Sequence, residues 1–432
     1  MKIQNTTALA VTPERRDALA IAEAGLAAID TGRVIQESVR IEADTLYVGE
    51  TIHSLDGIQR IYLVAIGKCA LDAAVALETV LGDRLEAGVA LGIAPYDGVT
   101  LKRTQYFVGT HPMPSEANVA ASRTIAATLT SLGEHDLALI VISGGGSTLL
   151  CLPTNGGSAP SEAALLQDLF RVGATIQEIN TVRKHLSLVR GGFLAKYAWP
   201  ARVVSLIFSD VPGDPLEFIA SGPTIKDTTT AADAAAVLTR YGLAARADLT
   251  ETPKDDHVFS RVTNVLLVTS TLALNAMAAA AEALGYHATI QTAQLTGEAR
   301  TVGEHIAQEL DAAPAGTVTL YGGETTVTIH GQGRGGRNQE LALAALPHVR
   351  EHEVVLALAS DGQDNTPVAG ALCDTMIMER AQALNLDPTA FLSANDSFTF
   401  FERAGGHLHT GPTGSNVADL TLALKRAPET VL

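Results

Sequence analysis

LALIVISGGGSTLL, residues 137–150, joins an apolar run to a turn with three consecutive glycines. Six apolar residues in succession are typical of a buried strand. The glycines lack the Cβ atoms that would hold a ligand away from the backbone N–H groups, and the Ser-Thr pair that follows can cap a helix. The geometry favours a bound anion, a phosphate or a carboxylate, over a plain connection. The predicted anion-binding turn consists of Ser143, Gly144, Gly145, Gly146 and Ser147.

Strand-like runs alternate with alanine-rich helical stretches along the rest of the chain. IYLVAI (61–66) precedes LDAAVALETVL, VVSLIF (203–208) precedes SDVPGD, and VLLVTS (265–270) leads into another helix. This alternation predicts an α/β fold with mostly parallel, Rossmann-like sheets. Ligands of such sheets bind at the carboxyl ends of the strands, where the glycine-rich and polar motifs of this chain also fall.

Two domains are expected, because 432 residues exceed the size at which one hydrophobic core keeps growing. The stretch 244–261 is polar and aperiodic, so we place an N-terminal domain at residues 1–255 and a C-terminal domain at 256–432. Within the second domain the pattern predicts a strand at 325–330 and a final helix after GPTGSN (411–416).

Charge and composition limit the partners of the chain. There are 47 acidic and 30 basic residues, and the formal net charge of −17 disfavours nucleic acids and anionic membranes, since both require clustered cations. The three cysteines are widely spaced, which indicates neither a disulfide framework nor a cysteine zinc site. The N-terminus lacks a signal-peptide core, and no apolar run is long enough for a bilayer. We therefore expect a cytoplasmic protein with small-molecule ligands.

Charged residues follow the predicted strands of the first domain. Lys68 stands where a helix begins and gains nothing from the helix dipole, which favours an electrostatic role over a surface position. Arg183 can bind a carboxylate through two parallel hydrogen bonds, although a solvated helix face would also explain it. Asp210 is a candidate base or metal ligand, and the oxygen donors around it favour magnesium over zinc. His111 is more simply explained as part of a proline-rich loop.

A glycine-rich loop, GQGRGGRNQE (331–340), dominates the second domain. It is expected to close onto a helix that begins near Arg337. A hairpin loop is the simpler alternative, but a hairpin needs neither two arginines nor four glycines. We therefore predict a phosphate cradle formed by Gly335, Gly336 and Asn338, with Arg337 as the compensating charge. Asp361 follows the run VVLALA and is a candidate magnesium ligand.

Eight colinear motifs together resemble the class II glycerate kinases, the family with a C-terminal MOFRL domain. The motifs are ISGGGSTLL, EINTVRKHLS, SLIFSDVPGD, IASGPT, GGET, GQGRGGRNQELAL, NDSFTFF and GPTGSNVADL. The resemblance extends from IYLVAIGKCA to the C-terminal motif. It implies two α/β domains with the active site in the cleft between them. It also implies ATP-dependent phosphorylation of D-glycerate, generally to 2-phosphoglycerate.

By this resemblance, the family's proposed catalytic lysine and arginine are Lys68 and Arg337. We expect them to neutralise the transferring phosphoryl group from opposite domains, with Arg183 on the glycerate carboxylate. Asp210 would orient or deprotonate the attacking hydroxyl. The other residues expected to line the site are Ser143 to Ser147, Asn180 and Lys184 for substrate or phosphate, and Glu324 or Asp361 for Mg²⁺.

One departure from the family leaves the acceptor open. The loop after Asp361 reads SDGQDNTPVAG, whereas the family usually has a pattern like TDG-x-DGPTDAAG, so another short hydroxy acid such as a tetronate is an alternative. Relatives have also been labelled hydroxypyruvate reductases that use NAD(P)H, but the GKCALDA and SGGGST turns do not give GxGxxG followed by a strand-ending acidic residue suited to ribose. A sugar-acid sensor is disfavoured because no DNA-reading segment accompanies the site. The oligomeric state stays open, with a homodimer among the options.

Overall fold

The computed structural model describes residues 1–93, 95, 98, 100–154, 157–244 and 248–428. Its helices are α1 (Thr6–Leu9), α2 (Pro13–Ala28), α3 (Thr31–Ser38), α4 (Ala70–Leu81), α5 (Glu116–Thr130), α6 (Gly146–Leu149), α7 (Ala159–Arg171), α8 (Ile176–His185), α9 (Phe193–Ala198), α10 (Ala231–Arg240), α11 (Asp256–Phe259), α12 (Ser270–Ala283), α13 (Ala299–Ala312), α14 (Arg337–Ala345), α15 (Thr375–Ala383), α16 (Pro388–Ser393) and α17 (Ser397–Ala404). Its strands are β1 (Val39–Glu42), β2 (Thr45–Val48), β3 (Thr51–Ser54), β4 (Arg60–Ile66), β5 (Leu85–Gly92), β6 (Thr104–Val108), β7 (Asp136–Ile142), β8 (Arg202–Phe208), β9 (Val262–Val268), β10 (His287–Leu295), β11 (Thr317–Gly323), β12 (Glu353–Ala359), β13 (Gly370–Cys373), β14 (His407–Leu408) and β15 (Asp419–Lys425).

The chain forms two compact units. The parallel-sheet unit contains residues 31–209 and 214–267, and the mixed-sheet unit contains residues 1–30, 210–213 and 268–432. This division differs from the expected boundary at 255/256, and residues 245–247 of the expected connection lie outside the described residues.

The first thirty residues belong to the mixed-sheet unit because α2 packs against α12. At this contact Gly25 lies against Met277, and a Cβ on Gly25 would come within 2.7 Å of the Met277 Cγ. Arg15 of α2 also forms a buried ion pair with Asp374 at 2.6 Å. A contact between such distant parts of the chain leaves no local sequence signal.

The parallel-sheet unit is built on a six-stranded sheet with the order β6-β5-β4-β7-β8-β9. The pairings from β6 through β8 are all parallel, as the alternation of strands and helices predicted. Strands β4 and β7 are buried almost throughout, because helices cover both faces of such a sheet. Their carboxyl ends, Ile66 and Ile142, are register partners. The segments that follow these two strands therefore start side by side. A small antiparallel sheet, β1-β2-β3, completes the unit.

The mixed-sheet unit has a six-stranded sheet with the order β10-β11-β15-β12-β13-β14. Its α/β class is as expected, but only β10 and β11 pair in parallel among the recorded pairings, and the other four are antiparallel. The C-terminal stretch expected to be a helix is instead the strand β15. This strand lies between β11 and β12 and runs antiparallel to both. Residues 325–330, expected to be a strand, form only an isolated bridge through Thr326. Among the described residues, no helix is long and apolar enough to span a bilayer.

Candidate active site

Hydrogen bonds tie the turns after β4 and β7 to each other. The Ser143 N–H donates to the Ile66 carbonyl at 2.9 Å, and the Lys68 N–H donates to the Gly144 carbonyl at 2.9 Å. Gly67 has φ +116°, and a Cβ at this position would overlap Ser143. The Ser143 hydroxyl is buried and donates to the Ile66 carbonyl. Ser143 therefore holds the two turns together, and its expected contact with substrate stays a prediction.

The glycine turn leaves two backbone donors unused. Neither Gly144 nor Gly145 donates its N–H to another residue in the part of the chain that the structure describes. Gly145 has φ +80°, and a Cβ there would lie 3.4 Å from Cγ of Lys68 and 3.5 Å from Cδ2 of His111. The turn thus brings amide donors, a lysine and a histidine together at the carboxyl edge of the sheet. This arrangement suits an anion.

A strained loop packs against the glycine turn. Ala220 and Ser221 have φ values of +49° and +60°, which are unfavourable for residues with side chains. A Cβ on Gly146 would lie 2.5 Å from the Ala220 Cβ, so the third glycine of the turn admits this loop. The hydroxyls of Ser147 and Ser221 are 3.0 Å apart and hydrogen bonded. The sequence showed the SGPT turn but not its contact with Ser147.

Helix α8 presents Asn180 and Arg183 toward one side, because residues three apart share a helix face. The Asn180 side chain donates to the Glu217 carbonyl at 3.2 Å, so this face contacts the loop that carries Ser221. Arg183 forms no ion pair or side-chain hydrogen bond with any described residue. Burial, together with the neighbouring charge of Arg190, lowers the pKa of Arg183 to about 10. The Glu162 charge acts on Arg183 without a direct ion pair, and a largely desolvated guanidinium of this kind is a candidate anion site.

Lys184 does not face a ligand, which corrects its expected role in substrate binding. Its ammonium pairs with Asp227 at 2.5 Å, and both side chains are almost fully buried. Thr229 and Thr252 also donate to the Asp227 carboxylate. Burial alone would raise the pKa of Asp227, but these hydrogen bonds and the Lys184 charge hold the pKa below its usual value. Lys184 therefore anchors α8 to the unit.

Arg337 lies at the start of α14, as expected, and is paired within the mixed-sheet unit. Its guanidinium donates to both carboxylate oxygens of Asp419, at 2.5 and 2.9 Å, and to Glu324 at 2.6 Å. Burial opposes the charge of Arg337, but Asp419 and Glu324 together raise its pKa above the usual value. The guanidinium is 31% exposed, so one side of a permanent cation stays open.

The glycine-rich loop before Arg337 packs one side against the protein, and Gly333, Gly335 and Gly336 also line a pocket. A Cβ on Gly335 would overlap Ser397, and a Cβ on Gly336 would overlap Asp364. The buried Asp364 carboxylate accepts from the N–H of Asn338 and, at 2.9 Å, from the N–H of Gln339. An internal carboxylate therefore occupies the N-terminus of α14. The phosphate cradle expected at Gly335, Gly336 and Asn338 stays a prediction, and a phosphate there could not use the two amides that already donate to Asp364.

Three polar motifs meet beyond β12 and β15. The Asn416 amide donates to Asp210 at 3.1 Å, and the Ser360 hydroxyl donates to the Asn416 side-chain oxygen at 3.4 Å. The Thr413 N–H donates to the Asp361 carbonyl at 3.2 Å. The described residues contain no group of three or more His, Cys, Asp or Glu side chains placed to hold a metal. Glu324 and Asp361 thus form no protein-only metal cage, and Glu324 contacts Arg337 instead.

Comparison with known proteins places this geometry in a family. A family model described as a domain of unknown function, DUF4147, matches residues 17–252, and the MOFRL family model matches residues 317–419. The D-glycerate 2-kinase of Thermotoga maritima is 36% identical over 413 residues, which span 90% of this chain and 96% of that protein. This chain belongs to the MOFRL glycerate kinase family.

Other members of the MOFRL glycerate kinase family agree with the motif-based prediction. The crystal structure of the T. maritima glycerate kinase matches with a TM-score of 0.85 at 34% identity, and the match covers 95% of this chain and 99% of that one. A protein of Agrobacterium vitis named putative hydroxypyruvate reductase is 40% identical over 386 residues, which cover 84% of this chain and 87% of that protein. The family is confirmed, and the names of its members differ in the reaction that they state.

Proposed function

We propose that this protein catalyses the ATP-dependent phosphorylation of D-glycerate to 2-phosphoglycerate. One observation carries the proposal: the unused N–H groups of Gly144 and Gly145 lie beside the Lys68 side chain at the carboxyl edge of a parallel sheet. Phosphoryl transfer needs positioning and charge neutralisation rather than covalent chemistry by the protein. Aligned amides and a lysine supply both for a phosphoryl group.

Arg183 is the proposed partner of the glycerate carboxylate. Its guanidinium is desolvated and has no direct ion pair with any described side chain, so the charge of Glu162 compensates it only at a distance. A bound carboxylate would compensate that charge through two parallel hydrogen bonds. Neutral substrates could not compensate the charge of Arg183, so this residue favours hydroxy acids over sugars and simple alcohols.

Arg337 and Asp210 complete the proposed machinery. The open side of the Arg337 guanidinium would contact ATP phosphates, while Asp419 and Glu324 fix its direction. Asp210, held by Asn416, would orient or deprotonate the attacking hydroxyl. Asp361 and Glu324 supply carboxylate oxygens, the donors that Mg²⁺ accepts alongside nucleotide phosphates and water. Magnesium held there would neutralise phosphate charge.

The reaction is tested by coupled ADP release with Mg²⁺-ATP and a panel of short hydroxy acids that includes D-glycerate and tetronates. NMR of the product would locate the phosphate. We expect D-glycerate to give the highest kcat/KM and the phosphate to lie on the 2-hydroxyl. A preferred tetronate would correct the acceptor, and no ADP release with any acid would refute the kinase assignment.

A reductase is the second activity to measure, because a relative of this chain is named putative hydroxypyruvate reductase. The same preparation is tested for NADH and NADPH oxidation with hydroxypyruvate. Turnover in this assay, without ADP release from glycerate, would reverse the proposal. Lys68→Ala and Arg337→Ala are expected to lower kcat for ADP release, and a near-normal kcat would remove the role proposed for the residue concerned.

The proposed location is the cytoplasm. Cys69, Cys151 and Cys373 are all buried and free, which fits a reducing compartment where ATP is also available.

A further inference from the structure

A pocket of about 390 Å³ lies beside Arg337 within the mixed-sheet unit. Its volume is within the range of about 300–1,000 Å³ that is usual for small-molecule sites. The residue sets of this pocket and of the glycine turn do not overlap. Thr325, Val327, Ile329 and Asn365 line it together with Arg337.

Two of the lining side chains indicate a ligand. Thr325 is only 6% exposed, yet its hydroxyl makes no hydrogen bond to any other described residue. The Thr325 oxygen is not among the fully buried polar atoms that lack a partner, so it is accessible to a ligand in the pocket that Thr325 lines. Ile329 is 77% exposed, although an isoleucine of this size is normally buried. An apolar surface next to an unsatisfied hydroxyl suits a planar polar ring.

The distribution of charge favours a nucleoside over a second small anion. Arg337 is the cationic lining residue, the acidic lining residue Glu340 is already paired with Arg300 at 2.8 Å, and Thr325, Val327, Ile329 and Asn365 are neutral. A glycerate anion would have to bind next to Arg337 and would leave most of the pocket volume empty. A nucleotide instead has a neutral base and ribose joined to charged phosphates, which matches a pocket lined mainly by neutral residues, with one arginine and one acid that is already ion-paired.

We propose that this pocket binds the adenosine half of ATP, with Val327 and Ile329 against the base, the Thr325 hydroxyl bonded to the nucleoside, and Arg337 on the phosphate side. The assignment rests on the proposed kinase function. Apolar contacts and hydroxyl hydrogen bonds of this kind would bind adenine and guanine nucleotides alike. The side-chain amide of Asn365 would therefore be the group that discriminates ATP from GTP.

Ile329→Ser and Thr325→Val test the pocket without altering its charge. Ile52 is the control, because it is 68% exposed in β3 of the parallel-sheet unit, and Ile52→Ser removes the same apolar surface elsewhere. The Kd of ADP is measured by calorimetry without any acceptor, and the KM values of ATP and glycerate are measured by ADP release. We expect Ile329→Ser to raise the ADP Kd and the ATP KM about tenfold, with the glycerate KM within twofold of wild type.

Three outcomes would overturn the assignment while the kinase function stands: unchanged ADP affinity in both pocket variants, an equal loss in Ile52→Ser, or a rise in the glycerate KM alone. Inorganic tripolyphosphate, which lacks the nucleoside, should inhibit wild type and Ile329→Ser equally. If wild type phosphorylates no acid, the proposed function fails, and the ADP titration still decides whether the pocket binds a nucleoside.

Discussion

Replacing Arg183 with methionine should weaken catalysis and stabilise the free protein at the same time. Burial and Arg190 lower the pKa of Arg183 from 12.5 to about 10. A shift of one pKa unit corresponds to about 1.4 kcal/mol, so the charged form costs the folded state about 3 kcal/mol. The cost is present at every pH below about 10, where the guanidinium is charged in both folded and unfolded chains.

Methionine keeps the length of the side chain and removes the charge. Allowing for solvent and relaxation, we expect a gain of about 2 kcal/mol, or roughly 4–8 °C in melting temperature for a domain of 150–250 residues. Loss of a charged hydrogen-bonding partner of the substrate should cost about 1.5–3 kcal/mol of binding, which is about 10–150-fold in the glycerate KM.

Arg190 is the matched control on the same segment. Its guanidinium is fully buried and paired with Glu162 at 2.6 Å. Arg190→Met leaves that carboxylate buried without its partner, so it should destabilise the protein by about 3–5 kcal/mol. The two arginines thus have opposite expected effects on stability.

Differential scanning fluorimetry and ADP-release kinetics on both variants provide the measurement. A lower melting temperature for Arg183→Met, similar to that of Arg190→Met, would refute the argument, because Arg183 would then be a structural residue. An unchanged glycerate KM would remove its role as the carboxylate ligand even if the protein became more stable.

Two further predictions concern packing near the same site. Asp227→Asn should lower the free energy of unfolding in urea at pH 7 by about 3–5 kcal/mol, because the buried Lys184 ammonium loses its partner. The pKa of Asp227 in the folded protein lies below its usual 3.8. The loss of stability relative to wild type should therefore persist above pH 3.8 and shrink as the pH falls through the folded pKa. Gly146→Ala places a Cβ 2.5 Å from the Ala220 Cβ and displaces the loop that packs on the glycine turn. If this displacement raises the activation free energy by about 1.4 kcal/mol, kcat/KM falls about tenfold. Gly133→Ala is the control, because the nearest atom to its Cβ is 3.8 Å away, and it should leave the kinetics unchanged.

The parallel sheet could be predicted because each of its strands carries a local signal. Apolar runs such as LALIVI end at a glycine or a polar residue, and the connections that follow are long enough for helices. The same reasoning identified Lys68 and the glycine turn. It could not identify the Ser147 to Ser221 contact, because the strained backbone at Ala220 and Ser221 leaves no mark in the residue types.

The relative directions of the strands in the mixed sheet could not be predicted. A central strand covered on both sides has the same apolar composition whether its neighbours are parallel or antiparallel. β15, DLTLALK, has a leucine at every second position, which is the alternation typical of a strand, so the helix expected there overlooked a local signal. Its position between β11 and β12 depends on pairing with strands about 100 and 65 residues earlier in the chain. The local alternation indicates a strand, and those distant partners decide its place and direction in the sheet.

The two glycine-rich motifs show why composition alone does not identify a phosphate site. Both motifs precede a helix, and both were expected to bind an anion at its N-terminus. At Gly144 and Gly145 the N–H groups remain unused within the described chain, so the missing side chains leave space for a ligand. At Gly336 the space is taken by Asp364, whose carboxylate already accepts from the amides at the start of α14. Asp364 lies in the part of the loop SDGQDNTPVAG that agrees with the family pattern TDG-x-D, and the departure begins only at Asn365, so the carboxylate at the start of α14 does not come from that departure.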